Sequence, residues 1–83
     1  MSTSPETTER TERADDRIVT LLSQWLARHI DDEGLRRGVE SIGTGELSPG
    51  QAEAVRELLA ELGPDWGRNE MLVRETLEAL ALG

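Results

Sequence analysis

A chain of 83 residues with a formal charge of −8 and no cysteine is one small acidic domain. The excess of carboxylates argues against nucleic acid and anionic lipid as primary partners, because both are gripped by an excess of cations. The absence of cysteine rules out disulfides and thiolate metal sites.

A domain of this size buries only about 60% of its unfolded surface, so its stability depends on good packing or on a partner. Apolar residues make up 36% of the chain, with two tryptophans and no phenylalanine or tyrosine, so leucine must supply most of the core. All 9 cationic residues are arginine, which together with abundant alanine, glycine and leucine fits a GC-rich bacterial genome. No apolar run approaches the roughly 20 residues of a membrane span. The polar N-terminus does not read as a secretory signal, and the cytoplasm is the expected location.

Residues 1 to 13 are Ser, Thr, Glu and Arg with little else, offer nothing to bury, and are expected to form a disordered tail. A first helix is expected to begin near Ala14 to Asp16, where Asp15 and Asp16 suit the positive end of the helix dipole. Ile18, Leu21, Leu22, Trp25, Leu26 and His29 recur at three- and four-residue spacing and make one apolar stripe. Asp31 is a good N-cap for a second helix carrying Leu35, Val39 and Ile42, with Ile30 and Leu35 in the staple positions. Gly34 and Gly38 each weaken it by up to about 1 kcal/mol relative to alanine, and Gly43 ends it.

The third helix is the best marked. Ser48 is an N-cap, Pro49 sits at the first helical position, and Gln51 completes a capping box, with Leu47 and Ala52 placed as a staple. The helix runs to Leu62 and is stopped by Gly63 and Pro64. Ala52, Val55, Leu59 and Leu62 are expected to be buried, with Leu58 flanking, while Glu53, Glu57 and Glu61 form an acidic stripe that is either solvated or offered to a basic partner. A fourth helix, opened by Asp65 or Asn69, extends to about Leu82. Its apolar arc of Met71, Leu72, Val73, Leu77, Leu80 and Leu82 is wider than a simple stripe. The expected fold is all-α: a small bundle of four helices over residues 14–83, with the disordered tail before it.

Chemistry-bearing motifs are scarce. With Gly45 as a turn glycine and Leu47 and Ser48 behind it, the run Glu40 to Gln51 resembles the calcium-binding loop of EF-hand proteins in outline. Ile42 occupies a ligand position and Gln51 replaces the bidentate glutamate, so calcium is not expected there. Leu62-Gly63-Pro64-Asp65-Trp66 resembles a segment of acyl carrier proteins, but Trp66 stands where that family carries its phosphopantetheine serine, so membership is not expected. His29 is the only histidine, there is no Gly-rich phosphate loop, and the carboxylates fall at helix ends and on polar faces.

Neither catalysis nor a cofactor nor a metal is therefore expected. The reading that remains is a protein–protein interaction module, an adaptor, regulator or accessory subunit that presents a helical face. Its candidate contact residues are Trp66, Met71 and Leu72 and the stripe Glu53, Glu57 and Glu61. The expected partner is another protein, or a second copy of the chain meeting it through the fourth helix as a homodimer strengthened by salt. The alternatives are a helical protein holding a small or acyl-type ligand between its helices, and a helix-turn-helix regulator in residues 35–62. The acidic stripe, which would face phosphates, opposes the second of these.

The capping box can be tested without any structure. Ser48→Ala should cost about 0.5–2 kcal/mol. Urea denaturation reads this directly, and an unchanged midpoint would mean that the third helix begins elsewhere.

Overall fold

The computed structural model describes residues 13–83. The expected tail falls on residues 1–12, outside the described residues, apart from Arg13, which stands at the N-cap of the first helix. Four helices follow in order: α1 (Ala14–Leu26), α2 (Asp32–Ile42), α3 (Pro49–Glu61) and α4 (Trp66–Leu82). No strand occurs among the described residues, and the fold is the small all-α bundle. No helix among them is long and apolar enough to cross a membrane.

The starts of α2, α3 and α4 follow the sequence signals closely. The Asp31 carboxylate accepts the Gly34 N–H at 2.8 Å. Both halves of the capping box form: the Ser48 hydroxyl accepts the Gln51 N–H at 3.3 Å, and the Ser48 N–H donates to Gln51 Oε1 at 3.0 Å. Asp65, not Asn69, caps α4, its carboxylate accepting the N–H groups of Gly67 and Arg68.

The helix ends are less regular. Gly43 has φ 77° at the end of α2 and returns its N–H to the Val39 carbonyl, a left-handed backbone that glycine adopts without penalty. Gly63 does not play that role for α3. The helix turns extended at Leu62, with φ −61° and ψ 118°, one residue before the expected stop signal begins. At the end of α1 the left-handed residue is Arg28, with φ 64°. The Arg28 N–H bonds the Trp25 carbonyl and the His29 N–H bonds the Gln24 carbonyl, the paired pattern of a Schellman cap with arginine where glycine is usual. His29 therefore leaves the apolar stripe altogether and is exposed beyond the helix.

One hydrophobic core draws on all four helices: Ile18, Leu22 and Trp25 from α1, Leu35 and Val39 from α2, Val55 and Leu58 from α3, Val73 and Leu80 from α4. The closest helix pairs are α1 with α2, α1 with α4, and α3 with α4. In α3 the expected order is reversed. Leu58 is buried and Leu59 and Leu62 only half-buried, because Leu58 stands three residues after Val55 and continues the inward line from Ala52. In α4 the inward line runs Asn69, Val73, Thr76, Leu80, so two polar residues share it with two apolar ones.

Gly38, expected merely to weaken α2, lies directly against the Leu21 side chain of α1. A Cβ there would lie 2.7 Å from Leu21 Cδ1 and 3.0 Å from Cδ2. Gly50, in the first turn of α3, faces open space. The two glycines should respond oppositely to the same change. Gly50→Ala should raise stability by a few tenths to about 1 kcal/mol through helix propensity, whereas Gly38→Ala should lose that gain to the displacement of Leu21. Paired thermal melts would check this, and equal gains at both sites would contradict the close approach.

Candidate functional site

The site is built upward from a buried indole. Trp25 is 1% exposed on the inner face of α1, and an indole N–H taken out of water must find an acceptor. It finds Asp32, seven residues later at the start of α2, with Nε1 to Oδ1 at 2.7 Å. The other carboxylate oxygen of Asp32 accepts from Nδ2 of Asn69 at 3.4 Å. Asn69 is itself fully buried on α4, and its amide grips the backbone of Gly63 from both sides. Nδ2 donates to the Gly63 carbonyl at 2.6 Å, and Oδ1 accepts the Gly63 N–H at 3.0 Å. One carboxylate and one side-chain amide thus tie the end of α1, the start of α2, the α3–α4 turn and the first turns of α4.

Above this floor lies Trp66, the first residue of α4. Its ring stacks on Trp25 with centroids 5.0 Å apart and planes 13° from parallel. The guanidinium carbon of Arg28 lies over the Trp66 ring, 4.7 Å from its centroid. A left-handed arginine costs roughly 1–2 kcal/mol relative to right-handed backbone. A cation over an indole at a partly exposed site returns about 0.5–2 kcal/mol. The stack therefore offsets much of the strain at the end of α1.

Trp66 keeps 37% of its surface in solvent. It looks onto an open groove of about 810 Å³ whose lining includes Trp25, Arg28, His29, Asp31 and Glu33. Aromatic surface forms part of the wall and carboxylates another part. No protein-family model, curated protein or solved structure matches the chain.

The other sequence candidates separate from this groove. Met71 is 62% exposed and Leu82 87% exposed, as the wide apolar arc of α4 implies. Leu72, expected to share that strip, is instead packed against the core, because it follows Asn69 by three residues and precedes Thr76 by four, both inward-facing. Glu75 and Glu78, both exposed, lie along α4 between Met71 and Leu82, so those two apolar side chains form no continuous patch. The stripe on α3 is also interrupted. Glu53 and Glu57 are exposed, while Glu61 pairs with Arg68 of α4 at 2.9 Å. Among the described residues no three of His, Cys, Asp and Glu are grouped to hold a metal ion.

Three residues of the site are not among the contact candidates named from sequence: Arg28, Asp32 and Asn69, the last read there only as an alternative cap of the fourth helix. Asn69 had a signal, since it falls in register with Val73 and Leu80, and an amide on a core-facing line needs buried partners. Asp32 could be read only as a helix-start carboxylate, and Arg28 carried no signal at all.

Asn69→Leu keeps the size of the side chain but orphans both backbone groups of Gly63. The expected loss is about 1–3 kcal/mol for each orphaned group, a large part of a small domain's stability. Urea unfolding should show a much lower midpoint. A midpoint within error of wild type would remove Asn69 from its place as the tie between α4 and the turn.

Proposed function

We propose that this chain is a non-catalytic protein-interaction module whose contact surface centres on Trp66, working in a bacterial cytoplasm. The observation that carries this reading is a tryptophan left half-exposed at a groove while its ring is held in place by stacking on Trp25 and by the Arg28 guanidinium lying over it. Tryptophan and arginine are the residues that most often dominate binding energy at protein interfaces. A large ring already ordered before contact loses little conformational freedom on binding.

A small or acyl-type ligand between the helices has less support, because the interhelical space is filled by Trp25, Ile18, Leu22, Leu35 and Leu58, and the groove at Trp66 and the groove between Arg17 and Ile42 open to solvent. Self-association through the Met71–Leu82 face of α4 has two separated apolar side chains to build on, with Glu75 and Glu78 between them and two −8 chains to bring together.

The test is affinity capture with wild type and Trp66→Ala in parallel, followed by quantitative mass spectrometry. Proteins held by wild type and lost from Trp66→Ala are the expected result. Capture that is the same for both would place the contact elsewhere on the bundle. Sedimentation of wild type and Met71→Glu at low and high salt separates self-association from this, since a homodimer through α4 would be salt-strengthened and lost in the variant.

A further inference from the structure

We propose that the groove beside Trp66 receives a lysine- or arginine-bearing segment of the partner protein, and that the partner's cation takes the position over the Trp66 ring that Arg28 holds in the free chain. The inference rests on the interaction reading above and specifies the chemistry of the partner.

The first argument is the occupant already there. Arg28 places its guanidinium 4.7 Å from the Trp66 centroid, so this ring, at this angle and exposure, accepts a cation. Arg13, Arg37, Arg68 and Arg74 each make an ion pair with a carboxylate; Arg28 makes none among the described residues. Among the described residues the Trp66 ring is the one partner of its guanidinium, and a cation held in that way can be exchanged for another.

Charge complementarity is the second argument. Asp31 and Glu33 line the same groove. Asp31 uses one carboxylate oxygen to cap α2, and its other oxygen accepts no hydrogen bond among the described residues. Glu33 pairs with Arg37 at 3.2 Å, with both side chains more than half exposed, a pairing that yields readily to a competitor. The whole chain carries −8, so a cationic segment is drawn in and an acidic one repelled. Apolar wall from Trp25, Trp66 and Ile30 would take the stem of the lysine or arginine and a neighbouring apolar side chain.

Arg28 is then a built-in competitor, and this consequence distinguishes the proposal from general attraction to an acidic protein. Its removal frees the ring and takes one positive charge out of the groove. Glycine is the natural replacement, since it also suits the left-handed backbone at φ 64°.

The experiment titrates the full chain with a capped peptide of alternating leucine and arginine, and with its leucine–glutamate counterpart, following the two indole N–H resonances and tryptophan fluorescence. The arginine peptide should bind, shift the Trp66 signal more than that of Trp25, and weaken as salt rises. Arg28→Gly should bind it several-fold tighter, and Trp66→Leu about tenfold weaker. Asp31→Asn, which retains a capping side chain, should weaken it without altering the circular dichroism of the helices. Equal binding of the glutamate peptide, or loss of binding in Arg28→Gly, would overturn the proposal in favour of an acidic partner. Undiminished binding by Trp66→Leu together with loss in Glu53→Gln/Glu57→Gln would overturn it by moving the cation to α3. If the arginine peptide fails while Trp66-dependent capture of a protein persists, the cation is wrong and the interaction module stands; if that capture is absent, the broader reading fails first.

Discussion

Burying Trp25 is the constraint on which the rest of this bundle depends. A chain with two tryptophans and no other aromatic residue gains much of its core from one large ring, and truncating such a ring typically costs about 3–5 kcal/mol. That gain is available only if the indole N–H is satisfied, so Asp32 must be brought to it and must itself be only partly buried. Asp32 in turn orders the first turn of α2, and its second oxygen reaches Asn69. The loop 27–31 runs between the two partners of that bond, with the left-handed turn at Arg28 inside it.

The opposite end of the bundle is closed by similar means. Gln51 is buried and uses its amide three ways: its oxygen takes the Ser48 N–H, and its nitrogen donates to the Leu80 carbonyl at 3.0 Å and to Asp15 at 3.3 Å. The start of α3 is thereby pinned to the start of α1 and the end of α4, and one of the last carbonyls of α4 gains a partner. Arg36 does the same for α3, donating to the Leu59 carbonyl at 3.0 Å from α2. Side-chain amides and one guanidinium therefore define which helix ends meet. Leucine packing, which is tolerant of slippage, supplies the bulk of the burial between them. No buried side-chain nitrogen or oxygen among the described residues is left without a partner.

The surface follows a different logic from the core. Among the described residues four ion pairs decorate it, each with at least one well-exposed member, and such pairs contribute little to stability. Among the described residues they leave the charge pattern uneven: Glu53 and Glu57 of α3 make no ion pair, while Arg28 lies over a tryptophan ring. The Trp66 ring is ordered by the core and offered to solvent by the same contact with Trp25, which links the packing of the fold to the surface proposed to bind.

What the sequence determined by itself was everything governed by neighbours a few residues apart. Asp31 and Ser48 with Gln51 cap helices because capping is a local bond, and Ile18, Leu22, Leu35, Val39 and Val55 face inward because helical spacing leaves them no other side. Only the tertiary structure decided that Leu58 outranks Leu59, that Leu72 turns inward while Met71 does not, and that Gly38 is a point of close approach. Each of these depends on how far a helix is rotated toward a neighbour from another part of the chain, and a rotation of a few tens of degrees is invisible in spacing alone. The site lay furthest from view, because Trp25, Asp32, Trp66 and Asn69 meet across gaps of up to 41 residues, from Trp25 to Trp66, and their bonding has no periodicity to betray it.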